Sequence, residues 1–255
     1  MLRCVDPVFQ LDGAAKRYGP EQALHPVSLV VQQGETVVLI GPSGCGKSTL
    51  LRLLLGLIPP DQGRVLFRGA RPGEAERRAM GYVVQGGGLF PHLTAEGNAT
   101  LLARYLGWDQ RRIAERLSAL LDLTRFPREA LPRYPAQLSG GQAQRVALAR
   151  ALFLDPAALL FDEPLGALDP ITRFELQRDL RDVFARLGKT VVLVTHDLGE
   201  AAFFAEGRGR IVLLRAGRIV QEGTLRELVR KPREPFVSQF VAAQRRPGEL
   251  AGEEP

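Results

Sequence analysis

A glycine-rich segment with the spacing of a phosphate-binding loop lies near the start of the chain. Residues 41–49 fit the pattern G-x-x-x-x-G-K-[ST], between an apolar run at 37–40 and a leucine-rich run at 50–57. Glycines allow backbone N–H groups to turn toward a phosphate, where a Cβ would block the approach. The N-terminus of the following helix adds partial positive charge. Lys47 would reach the β- and γ-phosphates, and Ser48 would offer its hydroxyl to Mg²⁺. The segment predicts a nucleoside triphosphate site formed by Gly41, Pro42, Ser43, Gly44, Cys45, Gly46, Lys47, Ser48 and Thr49.

Two adjacent carboxylates follow a second apolar run. Residues 157–164 read Ala-Ala-Leu-Leu-Phe-Asp-Glu-Pro, so Asp162 and Glu163 are expected at the tip of a buried strand. Mg²⁺ prefers carboxylate and water oxygens, which makes Asp162 a candidate metal ligand. Glu163 is the next residue, points the other way along a strand and could polarise an attacking water.

Two further polar residues also follow predicted strands. Gln85 ends a run at 80–85 and could orient a metal-bound water or touch a γ-phosphate oxygen, although a solvent-facing glutamine explains the pattern more simply. His196 follows a buried run at 190–195, where a histidine is more often a satisfied polar residue. Ligands of open α/β sheets collect beyond the carboxyl ends of the strands, which favours functional roles. The same edge is expected to carry Lys47, Asp162 and Glu163.

A second possible anion site lies at Leu138-Ser139-Gly140-Gly141-Gln142, directly before a helical pattern. A serine hydroxyl, exposed N–H groups and the helix dipole could together bind a phosphate, although a plain N-cap explains the local pattern equally well. One ATP molecule needs only one phosphate-binding segment, so the presence of a second such segment in the chain needs an explanation. Tyr18 precedes a turn and could stack on a base. Taken alone, a core or edge-strand tyrosine is the commoner alternative.

An alternating α/β chain is needed to position these residues. Predicted strands lie on both sides of an all-helical stretch at 94–123. Asp109 is a candidate N-cap within this stretch, and Thr224 is a candidate N-cap of a later helix. A hairpin is predicted to turn at Ala216-Gly217. We predict one α/β domain with its core at about 1–88 and 154–243, a helical subdomain at about 89–153, and a disordered tail at 244–255.

Composition limits the class of protein. The net charge is +6, but thirty of the thirty-four basic residues are Arg and they are spread along the chain. This favours a solvated surface over a nucleic-acid-binding face. The chain lacks an apolar stretch of about 18 residues and a signal-peptide pattern, and Cys4 and Cys45 are expected to be reduced thiols. We therefore expect a cytoplasmic protein.

An ordered set of motifs resembles the nucleotide-binding subunits of ABC transporters over roughly residues 8–241. The LSGGQ segment is the most specific of these motifs. The resemblance implies an α/β fold with a P-loop NTPase (RecA-like) core, an antiparallel β subdomain and an inserted α-helical subdomain. It also implies that two subunits dimerise head to tail, so that each ATP lies between two chains. The motifs are Tyr18, 41–49, Gln85, 138–142, 160–163, 168–169 and His196.

The resemblance also implies a role for each site residue. Tyr18 would stack on adenine, and Lys47 and the backbone of 41–46 would hold the phosphates of ATP. The Mg²⁺ ligands and organisers would be Ser48, Gln85 and Asp162. Glu163 would be the general base, His196 would contact the γ-phosphate, and Asp169 would bridge to the partner site. Residues of 139–142 would act in trans, namely Ser139, Gly140, Gly141 and Gln142.

One branch of the family is resembled more closely, namely the importers of osmoprotectants and quaternary amines such as glycine betaine, choline and carnitine. The stretches are 80–94, 106–109 and 165–173. Partners implied are a second ATPase subunit, integral-membrane permease subunits and a solute-binding protein, without nucleic acid, at the inner face of the membrane. Many members add paired CBS modules, which this sequence does not contain. Two departures are the glycine-rich 86–88 and the stretch 206–210, which differs from the usual Gly-Asp-Arg turn.

Three alternatives stay open. A soluble ABC ATPase of nucleic-acid metabolism would normally have two cassettes or long insertions. A metabolite kinase would leave LSGGQ and the Asp-Glu pair unexplained. An exporter often fuses its membrane domain to this cassette.

Overall fold

The computed structural model describes residues 7–166 and 168–244 of the chain. The predicted disordered tail, 244–255, lies outside the described residues except for Gln244, which is the last residue of a helix. Among the described residues, no helix has the length and apolar character needed to cross a membrane.

The order of elements alternates between strands and helices. The strands are β1 (Phe9–Tyr18), β2 (Glu21–Val31), β3 (Thr36–Ile40), β4 (Gln62–Phe67), β5 (Met80–Val83), β6 (Ala158–Asp162), β7 (Thr190–Val194), β8 (Gly209–Arg215) and β9 (Arg218–Gly223). The helices are α1 (Lys47–Leu54), α2 (Glu74–Arg78), α3 (Ala95–Tyr105), α4 (Gln110–Thr124), α5 (Gly140–Leu152), α6 (Pro170–Leu187), α7 (Leu198–Phe204), α8 (Leu225–Arg230) and α9 (Pro235–Gln244). Short 3₁₀ turns lie at Arg128–Ala130 and Pro135–Gln137.

The strands form two sheets. Six of them form a sheet in the order β5-β6-β7-β3-β8-β9, in which only β9 is antiparallel to its neighbour. A separate antiparallel sheet has the order β2-β1-β4. Because the parallel strands run in one direction, the loops after β3, β5, β6 and β7 all leave the sheet at the same edge.

The central strands β3, β6 and β7 are buried and almost entirely apolar, because both faces of the large sheet are covered. Alternate side chains of β3 belong to different cores. Val37 and Leu39 pack with α1 and the small sheet. Val38 and Ile40 pack with the helices on the other face. The central strands are thereby held between two layers, which fixes the positions of the loops at their ends.

Helices α3 and α4 occupy the stretch predicted to be all-helical at 94–123, and α5 follows them before β6. The predicted caps are present: the side chain of Asp109 accepts a hydrogen bond from the backbone N–H of Arg112, and that of Thr224 accepts one from Glu227. The β8–β9 hairpin turns at Ala216-Gly217 as predicted.

Two predicted boundaries were wrong. The helix after the phosphate-binding loop begins at Lys47 and ends at Leu54, three residues earlier at each end than the apolar run indicated. The strand predicted to end at Gln85 stops at Val83, because the following residues turn into a loop of positive-φ glycines. Gln85 therefore lies in the loop beyond the strand.

Candidate functional site

The glycines of the phosphate-binding loop are required for different reasons. At Gly41, with φ +148°, an added Cβ would lie 2.2 Å from the carbonyl oxygen of Leu214. At Gly46, with φ +104°, it would lie 2.7 Å from the carbonyl oxygen of Ala23. Neighbouring backbone thus excludes a side chain at both ends of the loop. At Gly44, with φ +74°, an added Cβ meets nothing within 4 Å, so the middle of the loop faces open space where an anion can approach.

The ammonium group of Lys47 is buried at the mouth of this loop. Its Nζ donates hydrogen bonds to the carbonyl oxygens of Gly41 (2.7 Å) and Pro42 (3.0 Å). It also lies 3.9 Å from Sγ of Cys45. Burial raises the pKa of the Cys45 thiol, with the positive charge of Lys47 acting in the opposite direction. The loop therefore holds a desolvated positive charge beside its open centre.

Ser48 and Asp162 come together from two different elements. Ser48 lies in the first turn of α1, Asp162 is the last residue of β6, and the Ser48 hydroxyl donates to Oδ1 of Asp162 over 3.2 Å. Burial raises the pKa of the Asp162 carboxyl above its usual value. A hydroxyl and a desolvated carboxylate are the oxygen donors that suit Mg²⁺, so these residues fit the predicted metal role.

Glu163 has an unusual backbone for its residue type. Its φ is +46°, in the left-handed region, and its backbone N–H donates to the carbonyl oxygen of Val194. Oε2 of Glu163 accepts a hydrogen bond from Nε2 of Gln85 over 3.3 Å. The same oxygen lies 3.4 Å from Nδ1 of His196. Residues after β5, β6 and β7 thus meet at one carboxylate oxygen, as the shared sheet edge predicted.

Sequence reasoning missed the pair that holds the turn bearing His196. The hydroxyl of Thr195 donates to Oε2 of the buried Glu200 over 2.6 Å and accepts from the backbone N–H of Asp197 over 3.1 Å. Oδ1 of Asp197 in turn accepts from the backbone N–H of Glu200. Burial raises the pKa of Glu200. A carboxylate four residues after a strand-end histidine, on a helix, was the available signal in the sequence.

The 139–142 segment lies apart from this cluster. Ser139 caps α5: its hydroxyl accepts from the N–H of Gln142 over 3.2 Å, and its own N–H donates to Oε1 of Gln142 over 3.0 Å. An added Cβ on Gly140 would meet Cδ2 of Leu168 at 2.8 Å, and one on Gly141 would meet Thr172 at the same distance. Within one chain, the plain N-cap accounts for every hydrogen bond of Ser139 to a described residue.

Asp169 lies in sequence between Leu168 and Thr172, the residues that lie against Gly140 and Gly141. Its carboxylate caps α6 by accepting from the N–H groups of Ile171 (3.1 Å) and Thr172 (3.0 Å). Hydrogen bonding to the side chain of Thr172, and then to these N–H groups, lowers the pKa of Asp169. The predicted site residues therefore form two groups in one chain. One group meets at the sheet edge beside the Lys47 loop and consists of Ser48, Gln85, Asp162, Glu163 and His196. In the other, Gly140 and Gly141 lie beside Leu168 and Thr172.

Tyr18 ends β1, where it pairs with Glu21, and it is 44% exposed. Nζ of Lys16 lies 5.9 Å from the centroid of its ring. The hairpin that carries Tyr18 packs on the phosphate-binding loop through Ala23 and Leu24, which lie against Gly46. An exposed ring beside a phosphate-binding loop can stack on a base.

Comparison with known families and proteins gives consistent matches. A family model described as "ABC transporter" matches residues 24–166. The glycine betaine/carnitine/choline transport ATP-binding protein OpuCA of Bacillus subtilis is 43% identical over 243 residues, which cover 93% of this chain and 63% of OpuCA. The chain thus spans less than two thirds of the length of this relative. The sulfate/thiosulfate import ATP-binding protein CysA of Bordetella parapertussis is 46% identical over 91% of this chain and 66% of CysA.

Solved structures match over most of the chain. A dimeric bacterial ABC transporter cassette, MJ0796, is 34% identical with a TM-score of 0.76, covering 85% of this chain and 98% of that protein. A second structure of the same cassette is described as a dimeric post-hydrolysis state bound to ADP and Pi. The match confirms the predicted fold class.

Proposed function

Because the chain belongs to the ABC transporter family, we propose that it binds and hydrolyses ATP in a head-to-tail dimer that drives solute uptake through a membrane permease. Membership confirms the family resemblance found in the sequence. The observation that carries the proposal is the convergence of Gln85 and His196 on Oε2 of Glu163, beside the Ser48–Asp162 pair.

Hydrolysis of ATP requires a water to attack the γ-phosphorus while the bond to the β-phosphate oxygen breaks, giving ADP and phosphate. The protein contributes positioning and neutralisation of charge. In our proposal Glu163 accepts the proton of the attacking water. His196 contacts the γ-phosphate, and Lys47 and the N–H groups of 41–46 hold the phosphates. Tyr18 stacks on the adenine ring.

Ser48, Gln85 and Asp162 would hold or orient Mg²⁺. The ion, when bound, neutralises phosphate charge and orients the phosphate oxygens. The Ser48–Asp162 hydrogen bond of 3.2 Å already brings a hydroxyl and a carboxylate together, and the hydroxyl oxygen keeps lone pairs for the ion while its proton stays on Asp162.

A second chain would complete the site. Gly140 and Gly141 lie against Leu168 and Thr172. Among the described residues, no hydrogen bond or ion pair joins segment 139–142 to the phosphate-binding loop of its own chain. We therefore propose that any phosphate bound by residues 139–142 belongs to an ATP molecule held by the partner chain. In our proposal 139–142 of one chain closes over the triphosphate held by the other, and Asp169 bridges the two sites. The dimeric MJ0796 cassettes support this arrangement.

The proposed solute is an osmoprotectant or quaternary amine. Relatives named for glycine betaine, carnitine, choline or osmoprotectant transport are 40% to 44% identical to this chain. A sulfate or thiosulfate importer is the second candidate, because CysA is 46% identical. In either case the chain would act at the cytoplasmic face, with permease subunits and a solute-binding protein completing the importer.

Mixing two inactive variants tests the composite site. Lys47→Ala removes the phosphate contact of one chain, and Ser139→Asp keeps an N-cap while placing a negative charge against the partner's phosphate. Each variant alone should release no phosphate from ATP. Their mixture should hydrolyse ATP, because a mixed dimer contains one site with an intact Lys47 and an intact Ser139. An inactive mixture from variants that still fold would contradict the head-to-tail dimer.

The solute is tested separately. The tagged chain is used to capture its permease from native membranes, and the complex is reconstituted in vesicles with ATP on the side of this subunit. Uptake of labelled glycine betaine and choline is compared with that of sulfate, and a complex carrying Glu163→Gln is the control. Uptake of sulfate alone would overturn the quaternary-amine proposal and leave the ATPase proposal intact.

A further inference from the structure

Three successive glycines follow Gln85 and all lie in the left-handed region. Their φ angles are +69° at Gly86, +78° at Gly87 and +53° at Gly88. At Gly88 an added Cβ would lie 2.2 Å from Cγ2 of Val84, so the turn is closed to larger residues there. Glycine restrains its own backbone less than any other residue. The loop therefore needs a contact from outside to hold Gln85 in one place.

Arg150, on α5, makes that contact. Its Nη1 donates to the carbonyl oxygen of Gly88 and its Nη2 to that of Gly87, each over 2.8 Å. The planar guanidinium thus holds two successive peptide groups, a geometry that a lysine cannot reproduce. Burial lowers the pKa of Arg150, and no carboxylate in the described part of the chain forms an ion pair with it. The two loop carbonyls, together with the ring of Phe90 whose centroid lies 5.9 Å from the guanidinium, therefore compensate this partly desolvated charge.

Helix α5 connects the 139–142 segment at its N-terminus with Arg150 near its C-terminus. Ser139 caps its N-terminus, and Arg150 lies about 16 Å further along the same rigid helix. Beyond the glycines, Nε2 of Gln85 donates to Oε2 of Glu163. One helix thus connects the 139–142 segment, through two hydrogen bonds, to the loop whose glutamine touches the proposed general base.

We propose that Arg150 is a positioning residue that ties Gln85 to α5. The inference rests on the proposed function of Gln85 and Glu163. With α5 packed as in the structure, the fork of Arg150 keeps Gln85 on Glu163. When α5 shifts against the sheet, the carbonyls of Gly87 and Gly88 move with Arg150 and carry Gln85 with them. Contact of 139–142 with a partner's nucleotide would then change the position of Gln85 in the same chain.

A matched control is present on α4. Arg116 also donates to two carbonyls, with Nη2 to Leu152 (2.8 Å) and Nε to Phe153 (3.1 Å), but these belong to the last residue of α5 and the residue after it, and neither is part of the glycine loop. Arg150→Met and Arg116→Met each remove a guanidinium that holds two peptide groups. Only Arg150→Met removes a contact with the loop of Gln85.

The test is a double-mutant cycle on ATP hydrolysis by the full chain. Arg150→Met should lower kcat about tenfold, the order expected when charge-assisted hydrogen bonds that position one group are lost. In a Gln85→Ala background it should cause no further loss. Arg150→Lys should recover part of the activity, and Arg116→Met should leave kcat unchanged. A tenfold loss in both backgrounds, or none in either, would overturn the proposal.

Amide hydrogen exchange of the nucleotide-free chain gives a readout that does not depend on activity. Exchange of segment 84–90 should be faster in Arg150→Met and unchanged in Arg116→Met. Equal exchange in the two variants would overturn the positioning role. A parent chain that released no phosphate would instead contradict the proposed ATPase function, and the exchange experiment would still decide whether Arg150 holds the loop.

Discussion

Nδ1 of His196 lies 3.4 Å from Oε2 of Glu163, on the same oxygen that accepts the hydrogen bond of Gln85. The side chain of Glu163 is only 25% exposed, whereas the imidazole side chain of His196 is 60% exposed. Two neighbours on one carboxylate oxygen restrict the orientation of this mostly covered side chain. Orientation of the base is the property that proton abstraction from a bound water requires.

Replacing Glu163 by glutamine should separate binding from turnover. Glu163→Gln keeps the shape of the side chain and its contact with Gln85 but cannot accept a proton. We expect ATP to bind as before and turnover to fall by roughly 10²- to 10⁴-fold, the usual contribution of a general base. With ATP trapped, the dimer should persist in size-exclusion chromatography. Glu175→Gln, on the exposed face of α6, is the control. Undiminished phosphate release would refute the role of Glu163.

Removing the hydroxyl of Ser48 should affect magnesium more than nucleotide. Ser48→Ala deletes the group that lies 3.2 Å from Asp162, so one of the oxygen donors for the ion is lost. We expect a higher Mg²⁺ concentration at half-maximal ATPase activity. Binding of a fluorescent ATP analogue in EDTA should be unchanged, because the Lys47 loop is intact. A Mg²⁺ dependence identical to that of the parent would show that Ser48 is not a ligand.

Tyr18 should contribute to the affinity for the base through its ring alone. Tyr18→Ala should weaken ATP binding by about 1 to 3 kcal/mol, the range found for stacking of a base on an aromatic side chain, whereas Tyr18→Phe should retain the parent affinity. Tyr105→Ala removes a ring that is 79% exposed on α3, and it should change nothing. Equal affinities for Tyr18→Ala and Tyr105→Ala, measured by titration calorimetry, would exclude the stacking role.

The sheet edge could be predicted from the sequence because parallel strands end together. Local patterns placed Asp162 and His196 after buried runs, and the topology alone then brings them to one edge. The N-caps at Asp109 and Thr224 were predictable for a similar reason, since a capping side chain contacts its own helix within a few residues. Features determined by local sequence or by strand direction were therefore accessible without coordinates.

The remaining features depend on contacts between distant parts of the chain. The left-handed backbone of Glu163 has no signature in residue type, because glycine or asparagine would be expected there. The end of β5 at Val83 depends on the conformation of the glycine loop. The fork of Arg150 joins residues more than sixty positions apart. Such pairings require the packing of α5 on the sheet, which no local pattern specifies.

The buried carboxyl of Glu200 makes a prediction about stability and pH. Burial raises its pKa, with Asp197 acting in the same direction and Thr195, Arg173 and His196 opposing. A raised pKa in the folded chain means that the charged form costs free energy of folding. This cost is present above the folded pKa and disappears as the pH falls below the ordinary glutamate value. Glutamine carries no such cost and can still accept from the Thr195 hydroxyl.

The difference in melting temperature between Glu200→Gln and the parent should therefore change with pH. Measured over an interval of about pH 4 to 8, the variant should gain stability relative to the parent as the pH rises, because burial raises the pKa of the parent's carboxyl and its ionisation then costs stability. Thermal unfolding followed by circular dichroism across this interval measures the difference, with Glu175→Gln as the exposed control. A difference that stays constant with pH, or that shrinks as the pH rises, would show that burial in the folded chain does not penalise the charged form of Glu200.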